Sequence, residues 1–186
     1  MGASTMNLPD LMIDLETLDV TDSAVVVSLG AQFFDIAADG YPETEAISAA
    51  FDFQQQIDLG RTLSASTIKW WMTQGNAARS ETFNATQYPI EDIALLLADM
   101  SKINKTTRIW GNGSGFDLNI VRSLFRTHGL EFPFRYSADM DLRTLRMLAG
   151  NPKYPTKRSF VAHAALDDAR YQVLCAQMYW GMINAK

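Results

Sequence analysis

The sequence predicts an α/β domain with one mixed central sheet of about five strands, the first three antiparallel, flanked by helices. Apolar runs with a two-residue period, separated by short polar turns, occupy the first part of the chain and are typical of consecutive strands. Helical and strand patterns then alternate to the end. With 186 residues and 47% hydrophobic composition, the chain can bury one sizeable core, and no composition break divides it. We therefore expect one domain over residues 1–186.

Three strands are expected before the first helix. In the first, Leu11, Ile13 and Leu15 alternate with their neighbours, so the side chains divide between two faces. The second covers residues 24–34, which are mostly apolar or β-branched, and the third covers residues 47–53. An Asp-Gly pair between them indicates a hairpin-type turn, which predicts an antiparallel arrangement.

The rest of the chain alternates helices with two further strands. Ser64 or Ser66 can cap a short helix that contains Trp70 and Trp71. The remaining elements are predicted in this order: an amphipathic helix opened by Pro89 with Ile93, Leu96, Leu97 and Met100 on one side, a strand at 106–110, a helix at 116–128 stopped by Gly129, a strand at 134–138, a helix from Asp141 to near Gly150, and a last helix at 164–182.

Composition argues against several functional classes. No apolar run reaches the length of a membrane span, and residues 1–9 lack the basic start and apolar core of a signal peptide. The single Cys175 rules out a disulfide framework or thiolate metal site and favours a reducing, cytoplasmic setting. A net charge of −5 argues against a passive nucleic-acid clamp, although divalent cations would reverse the local charge of an acidic site.

The end of the first strand carries an acidic pair, Asp14 and Glu16. Residues two apart on a strand project from the same face, so the two carboxylates stand side by side. They repel each other, and partial burial pushes at least one of them to hold a proton unless a cation intervenes. Carboxylate oxygens suit hard divalent ions such as Mg²⁺ or Mn²⁺. The simpler alternative is a strand edge that enters a turn, with both acids facing water.

Three residues in the second half of the chain can join such a site. Asp117 shares a helix face with apolar residues that must contact the sheet, so it needs a partner; alternatively, it is the N3 residue of a capping box that begins at Ser114. His163 and Asp168 would lie about 140° apart on a regular helix, so they converge only if His163 is in the entry loop. The alternative for His163 is an ordinary surface histidine.

Other residues carry weaker signals. Asp167 is expected to face solvent more than Asp168 does, and His128 is expected to interact with the C-terminal dipole of its helix without a catalytic role. Trp70 and Trp71 are interpreted as core and rim residues of a short helix in preference to base-stacking platforms. Charged loops are more often merely solvated, but phosphate contacts are open to the basic side chains of one proline-broken loop, Lys153, Lys157 and Arg158.

The order of these motifs resembles that of the DEDDh exonucleases, a superfamily of 3′–5′ exonucleases with a ribonuclease H-like fold. The similar segments are the strand end at residues 13–17, the loop and helix start at 111–117, and the motif at 163–169. The last of these resembles the family's His-x-Ala-Leu-x-Asp-Ala signature, which selects Asp168 over Asp167. The resemblance spans nearly the whole chain.

This resemblance implies a metal-dependent 3′–5′ exonuclease that acts on 3′ ends of single-stranded RNA or DNA. It implies two Mg²⁺ or Mn²⁺ ions, with Asp14 bridging both. Glu16 and Asp168 would help to hold the ion on the nucleophile side, Asp117 would support the second ion largely through water, and His163 would act as the general base. Homodimers are common among related stand-alone enzymes, so a homodimer is a further expectation.

The motifs leave finer features and two alternatives open. Residues 70–74, 78–79 and 141–144 resemble a phage and bacterial branch that includes phage exonuclease A-type enzymes and a mycobacterial-type exoribonuclease. A catalytically inactive ribonuclease H-like binding module is one alternative, but it should lack at least one of the five site residues. A phosphodiesterase for short oligonucleotides is another, with the same chemistry in a smaller pocket.

Overall fold

One mixed sheet forms the centre of the protein, and the computed structural model describes residues 7–113, 115–156 and 160–185. Within these ranges the sheet has six strands: β1 (Asp10–Thr17), β2 (Val26–Phe34), β3 (Ala46–Phe51), β4 (Gln87–Tyr88), β5 (Arg108–Gly111) and β6 (Asp139–Asp141). Their order across the sheet is β4-β3-β2-β1-β5-β6. The strand with the acidic pair, β1, therefore lies in the interior of the sheet.

The pairing confirms the predicted start of the sheet. β1 is antiparallel to β2, and β2 is antiparallel to β3. The remaining pairs, β1 with β5, β5 with β6 and β3 with β4, are parallel. Since β1 and β5 run in the same direction, the loop that follows β5 opens at the edge where β1 ends. The topology thus brings Asp14 and Glu16 to the same edge as the segment that leads to Asp117.

Helices connect the strands. In the described residues they are α1 (Phe53–Asp58), α2 (Ala65–Thr73), α3 (Asn76–Phe83), α4 (Ile90–Ile103), α5 (Asp117–Thr127), α6 (Leu142–Leu148) and α7 (Ala165–Asn184). The predicted helices correspond to α2 and α4 to α7, whereas α1, α3 and the two-residue strand β4 were not predicted. On α4, Ile93 and Leu97 are buried as predicted, but Leu96 is 43% exposed because it lies off the inward face.

The last predicted strand is wrong in position. Residues 134–138 were expected to form it, but β6 begins at Asp139 and is preceded by a 3-10 turn (Tyr136–Ala138). Arg122 of α5 explains the shift, because its guanidinium donates to the carbonyl oxygens of Phe134 (2.6 Å) and Arg135 (3.3 Å) and forms an ion pair with Asp139. Two carbonyl groups that a strand ladder would use are therefore engaged by a side chain.

Helices cover both faces of the sheet. On one face, α4 and α5 pack against a cluster that includes Ile13; on the other, α6 and α7 pack against a cluster that includes Met12. Asp14 and Glu16 share the face of Met12 because strand side chains alternate, so they point towards the α6 and α7 side. In the part of the chain that the structure describes, no helix has the length and apolar character needed to cross a membrane.

Candidate active site

The end of β1 presents the two predicted carboxylates to α7. Asp14 is half-buried and Glu16 is buried. Gln172 of α7 donates from Nε2 to Oδ1 of Asp14 at 2.6 Å, which ties the strand to the helix across the site. The alternative of two acids facing water at a strand edge is therefore wrong, because β1 is interior and α7 covers its acidic face.

Asp117 reaches the same place from the opposite helix layer. It is the first residue of α5 and is buried, and its Oδ1 accepts a hydrogen bond from the backbone N–H of Leu15 at 3.3 Å. The capping-box alternative placed Asp117 at N3, whereas the helix has Phe116 as its N-cap and Asp117 at N1. Ser114, the other half of that predicted box, lies outside the described residues. This hydrogen bond joins the start of α5 to β1 at Leu15, the residue between Asp14 and Glu16.

His163 and Asp168 converge in the way that their spacing requires. His163 lies in the loop before α7 with a positive φ of 64°, and its backbone N–H donates to Oδ2 of Asp168 at 2.9 Å. The left-handed backbone turns the histidine back over the first turn of α7. Glu16, His163 and Asp168 each offer a ligand atom, and these atoms all lie within 4.8 Å of one another.

Neighbouring elements fix the position of His163. The carbonyl oxygen of His163 accepts from Oγ1 of Thr82 in α3 at 2.9 Å. The indole of Trp70 meets the imidazole edge-on, with ring centroids 4.8 Å apart. His163 is therefore not an ordinary surface histidine, because contacts from α2, α3 and α7 all converge on it.

All five predicted site residues line one cleft of about 600 Å³. Its wall also contains Arg143, Tyr154 and Tyr171. A second, mainly apolar cleft of about 390 Å³ adjoins it and shares Leu15, Glu16 and Phe116 with it. The side chain of Trp70 belongs to this second cleft and is 42% exposed.

The electrostatics of the cleft favour bound cations. Burial raises the pKa of Asp14 well above its ordinary value, and the nearby carboxylates of Asp117, Glu16 and Asp168 raise it further, while the hydrogen bond from Gln172 opposes the rise. Burial also raises the pKa of Asp117 to about 7, against the lowering effect of the Leu15 N–H. Four acids crowded into one partly buried cleft form an oxygen-rich donor set that fits hard divalent ions.

The other candidates from the sequence lie where the simpler interpretations placed them. Asp167 accepts a hydrogen bond from the Val161 N–H at 2.8 Å and does not line the cleft. His128 ends α5, with Nδ1 3.0 Å from the Leu124 carbonyl oxygen. Trp71 is buried and donates to the Thr17 carbonyl oxygen at 2.9 Å. Of the basic loop residues, Lys153 is exposed, whereas Lys157 and Arg158 lie outside the described residues.

Two residues that support the site were not recognised in the sequence. Gln172 lies four residues after Asp168, so the two share a face of α7, and this spacing was a usable signal. Gly30 is paired with Asp14 in the β1–β2 register and gives no such signal, since its role depends on a helix more than a hundred residues away. Both act by setting where α7 lies relative to β1.

The comparisons with known proteins agree with this geometry. The family profile of the 3′–5′ exoribonuclease Rv2179c-like domain matches residues 9–180. No curated protein sequence matches the chain significantly. The structural similarities below are at 10–13% sequence identity and therefore show the fold alone.

Among the solved structures that share this fold are the following three. The nuclease domain of 3′hExo, a DEDDh family member bound to rAMP, superimposes with a TM-score of 0.59 at 10% identity over 92% of this chain and 90% of its own. Cell-death related nuclease 4 (CRN-4) has a TM-score of 0.56 at 13% identity over 93% of this chain, which spans 64% of that nuclease. Pop2p of S. pombe, in a form with Mg²⁺ and Mn²⁺ bound, has a TM-score of 0.50 at 12% identity, over 93% of this chain and 82% of its own.

The family profile covers nearly the whole chain, and the six-stranded sheet with its flanking helices has the architecture of these nucleases. The 3′–5′ exonuclease activity and the ribonuclease H-like fold that the sequence motifs implied are thereby confirmed. The chain belongs to the 3′–5′ exoribonuclease Rv2179c-like family of 3′–5′ exonucleases and has a ribonuclease H-like fold.

Proposed function

We propose that this protein hydrolyses the terminal phosphodiester at the 3′ end of single-stranded RNA, using two divalent cations and His163 as the general base. The observation that carries the proposal is the convergence of Asp14, Glu16, Asp117 and Asp168 with this histidine in one cleft. The family profile supports RNA as the substrate, and the Mg²⁺ and Mn²⁺ in the Pop2p structure support divalent cations.

The four carboxylates divide into two groups that can hold two ions. Glu16 and Asp168 lie together beside His163, so they would hold the ion on the nucleophile side. Asp117 approaches from α5 on the other side of the β1 end, so it would support the ion on the leaving-group side. Asp14 lies near all three other acids, whose charges raise its pKa, so it would help to hold both ions. When bound, such a pair of ions activates water and neutralises charge on the leaving oxygen.

His163 would take the proton from the attacking water. Histidine can accept and release protons near neutral pH, which suits this role. Its backbone is held by Asp168 and Thr82, and its ring lies against Trp70. These contacts keep the imidazole beside the carboxylates of the nucleophile side.

The apolar second cleft would hold the base of the 3′-terminal nucleotide. It is lined by Trp70, Phe116 and Leu15 and meets the acidic cleft at Glu16, so a base in it would place its 5′ phosphate at the carboxylates. Stacking on an exposed aromatic ring requires an unstacked, single-stranded end. The sequence interpretation of Trp70 as a rim residue is compatible with this role, and 3′hExo was solved with rAMP, a nucleoside monophosphate of the size of the released product.

The test is a denaturing-gel time course with 5′-labelled single-stranded RNA and DNA of one sequence, in Mg²⁺, Mn²⁺ or EDTA. We expect shortening from the 3′ end, faster on RNA, that stops in EDTA and in Asp14→Ala. Asp168→Asn should also be inactive, while the adjacent Asp167→Asn, which lies outside the cleft, should keep wild-type activity. No cleavage of either strand with either metal would contradict the proposal and favour a binding module, and cleavage confined to dinucleotides would favour a phosphodiesterase for short oligonucleotides.

A further inference from the structure

Tyr154 is an exposed aromatic residue held firmly at the wall of the acidic cleft. It is 43% exposed and lines the cleft. The loop is anchored on both sides of it: Arg146 donates from Nε to the Pro152 carbonyl oxygen at 2.9 Å, and Tyr171 donates from its hydroxyl to the Pro155 carbonyl oxygen at 2.6 Å. An accessible ring with a fixed backbone loses little conformational freedom when a flat ligand stacks on it.

The ring of Tyr154 is also supported by its neighbours. The guanidinium carbon of Arg146 lies 4.3 Å from the ring centroid, and the ring of Tyr179 meets it edge-on at 6.4 Å. These contacts occupy part of the ring surface and leave the rest accessible from the cleft. Tyr154 is therefore not a core residue, and its ring is held in a position where a flat ligand in the cleft can stack on it.

The positively charged side chain of Arg143 lines the same cleft as Tyr154. Arg143 is exposed, lines the cleft and precedes Arg146 by three residues on α6, so the two side chains share a helix face. Its guanidinium packs over Gly113, where a Cβ atom would lie 3.3 Å from the guanidinium carbon. Among the described residues that line the cleft, Arg143 is the one lysine or arginine. In a cleft dominated by acids, it offers the charge that a phosphate needs.

From this arrangement we infer a second nucleotide subsite: Tyr154 stacks on the base of the penultimate nucleotide, and Arg143 binds the 5′ phosphate of that nucleotide. The inference rests on the proposed function, which places the terminal base beside Trp70 and the scissile phosphate at the carboxylates. The strand must then continue away from Trp70, and the acidic cleft extends there along Arg143 and Tyr154.

The first experiment measures single-turnover release of the 3′-terminal nucleotide from two RNA oligonucleotides, one intact and one with an abasic ribose at the penultimate position. Wild-type enzyme should act roughly 5- to 150-fold more slowly on the abasic RNA, the range for loss of one base–aromatic stack. Tyr154→Ala should lose the same factor on intact RNA and nothing further on abasic RNA. Tyr154→Phe keeps the ring and should retain the wild-type ratio between the two RNAs. Tyr88→Ala, which removes a tyrosine that is 44% exposed on the far edge strand β4, should have wild-type rates on both.

The second experiment compares RNA dinucleotides with and without a 5′ phosphate. Wild type should have the higher kcat/KM for the 5′-phosphorylated dinucleotide, and Arg143→Ala should abolish that preference. The measured quantity is the ratio of the two kcat/KM values, with and without the 5′ phosphate. Arg143 also lowers the pKa of Asp117, so replacing Arg143 can change both rates together without changing their ratio. Arg126→Ala, at an exposed arginine near the end of α5, should retain the preference.

Three outcomes would overturn the subsite. Wild-type enzyme could be indifferent to the penultimate base, Tyr154→Ala could slow both RNAs by an equal factor, or Arg143→Ala could retain the full preference for the 5′ phosphate. If wild type released no nucleotide from either RNA with Mg²⁺ or Mn²⁺, the proposed function itself would fail and the subsite with it. That result differs from the first three, in which wild type is active.

Discussion

Gly30 of β2 and Ala165 of α7 are in direct backbone contact, so close that a Cβ atom on Gly30 would lie 2.2 Å from the carbonyl carbon of Ala165. Gly30 is also the partner of Asp14 in the β1–β2 register. The missing side chain lets the first turn of α7 lie on the sheet beside Asp14. This contact sets the distance between the carboxylates of the strand and Asp168 on the helix.

We therefore predict that Gly30→Ala reduces both stability and activity. The new methyl group meets backbone atoms that cannot rotate away, so α7 must shift, and such overpacking typically costs about 1–3 kcal/mol of unfolding free energy. Activity should fall by more than the lost stability explains, because Asp168 moves with the helix. Urea unfolding and RNA cleavage of the folded variant measure the two effects.

Gly181→Ala is the matched control, since Gly181 lies in the same helix and a Cβ atom there meets nothing within 4 Å. It should be stable or slightly stabilised, by roughly 0.5–1 kcal/mol, with normal activity. Normal activity in Gly30→Ala would show that the contact does not position Asp168.

Asp117 should make the stability of the metal-free protein fall as pH rises. Its folded pKa of about 7 lies above the ordinary value of 3.8, so folding favours the protonated acid. This contribution to stability is fully present below pH 4 and is lost as pH rises through 7, by an amount on the order of 2–4 kcal/mol. We expect the Tm in EDTA to fall between pH 5 and 8.

Two comparisons identify Asp117 as the cause. Asp117→Asn should have a smaller decrease in Tm over the same pH interval, because the amide does not ionise. Mg²⁺ should raise the Tm of wild type most at pH 8, where Asp117 is mostly deprotonated and can bind the ion. A Tm that rises in EDTA from pH 5 to 8 would have the wrong sign for this account.

Gln172→Ala should weaken metal binding without removing a proposed ligand. The amide donates to Oδ1 of Asp14 and opposes the rise of the Asp14 pKa, so its loss should favour the protonated acid. Partners that orient metal ligands typically contribute about 10- to 100-fold to metal affinity or activity. Titration of Mg²⁺ or Mn²⁺ at fixed pH should therefore need a higher metal concentration for half-maximal activity.

The control for this prediction lies on the same helix. Gln177 donates to the backbone carbonyl oxygens of Asp35 and Gly40, away from the cleft. Gln177→Ala should change stability without changing the metal dependence of the rate. If both variants needed the same metal concentration for half-maximal activity, Gln172 would have no role in metal binding.

His163→Ala should reduce turnover by roughly 10²- to 10⁴-fold, the typical contribution of a general base. His128→Ala, at the end of α5, should keep the full rate, so the two histidines of the chain serve as test and control. A full rate in His163→Ala would assign proton transfer to another group.

The parts of the fold that follow from local pattern were predictable. The alternation around Ile13 indicated β1, and its two-residue period placed Asp14 and Glu16 on one face of that strand. The apolar stripe of α5 and the stop at Gly129 bounded that helix to within a residue or two. By contrast, the strand predicted at 134–138 was wrong because Arg122, a residue of a different element, engages its carbonyl groups.

The sequence by itself indicated which groups the cleft contains. Spacing singled out Asp14 with Glu16 and His163 with Asp168, and the apolar face of its helix singled out Asp117. Only the tertiary structure decided where they meet. Asp117 accepts a hydrogen bond from the Leu15 N–H of β1, which is 102 residues away in sequence. Gly30 lets α7 pack closely against the sheet, and no periodic pattern in the sequence indicates that contact. The physical reason is that periodicity reports which face a side chain occupies, whereas the distance between faces depends on packing between elements remote in the chain.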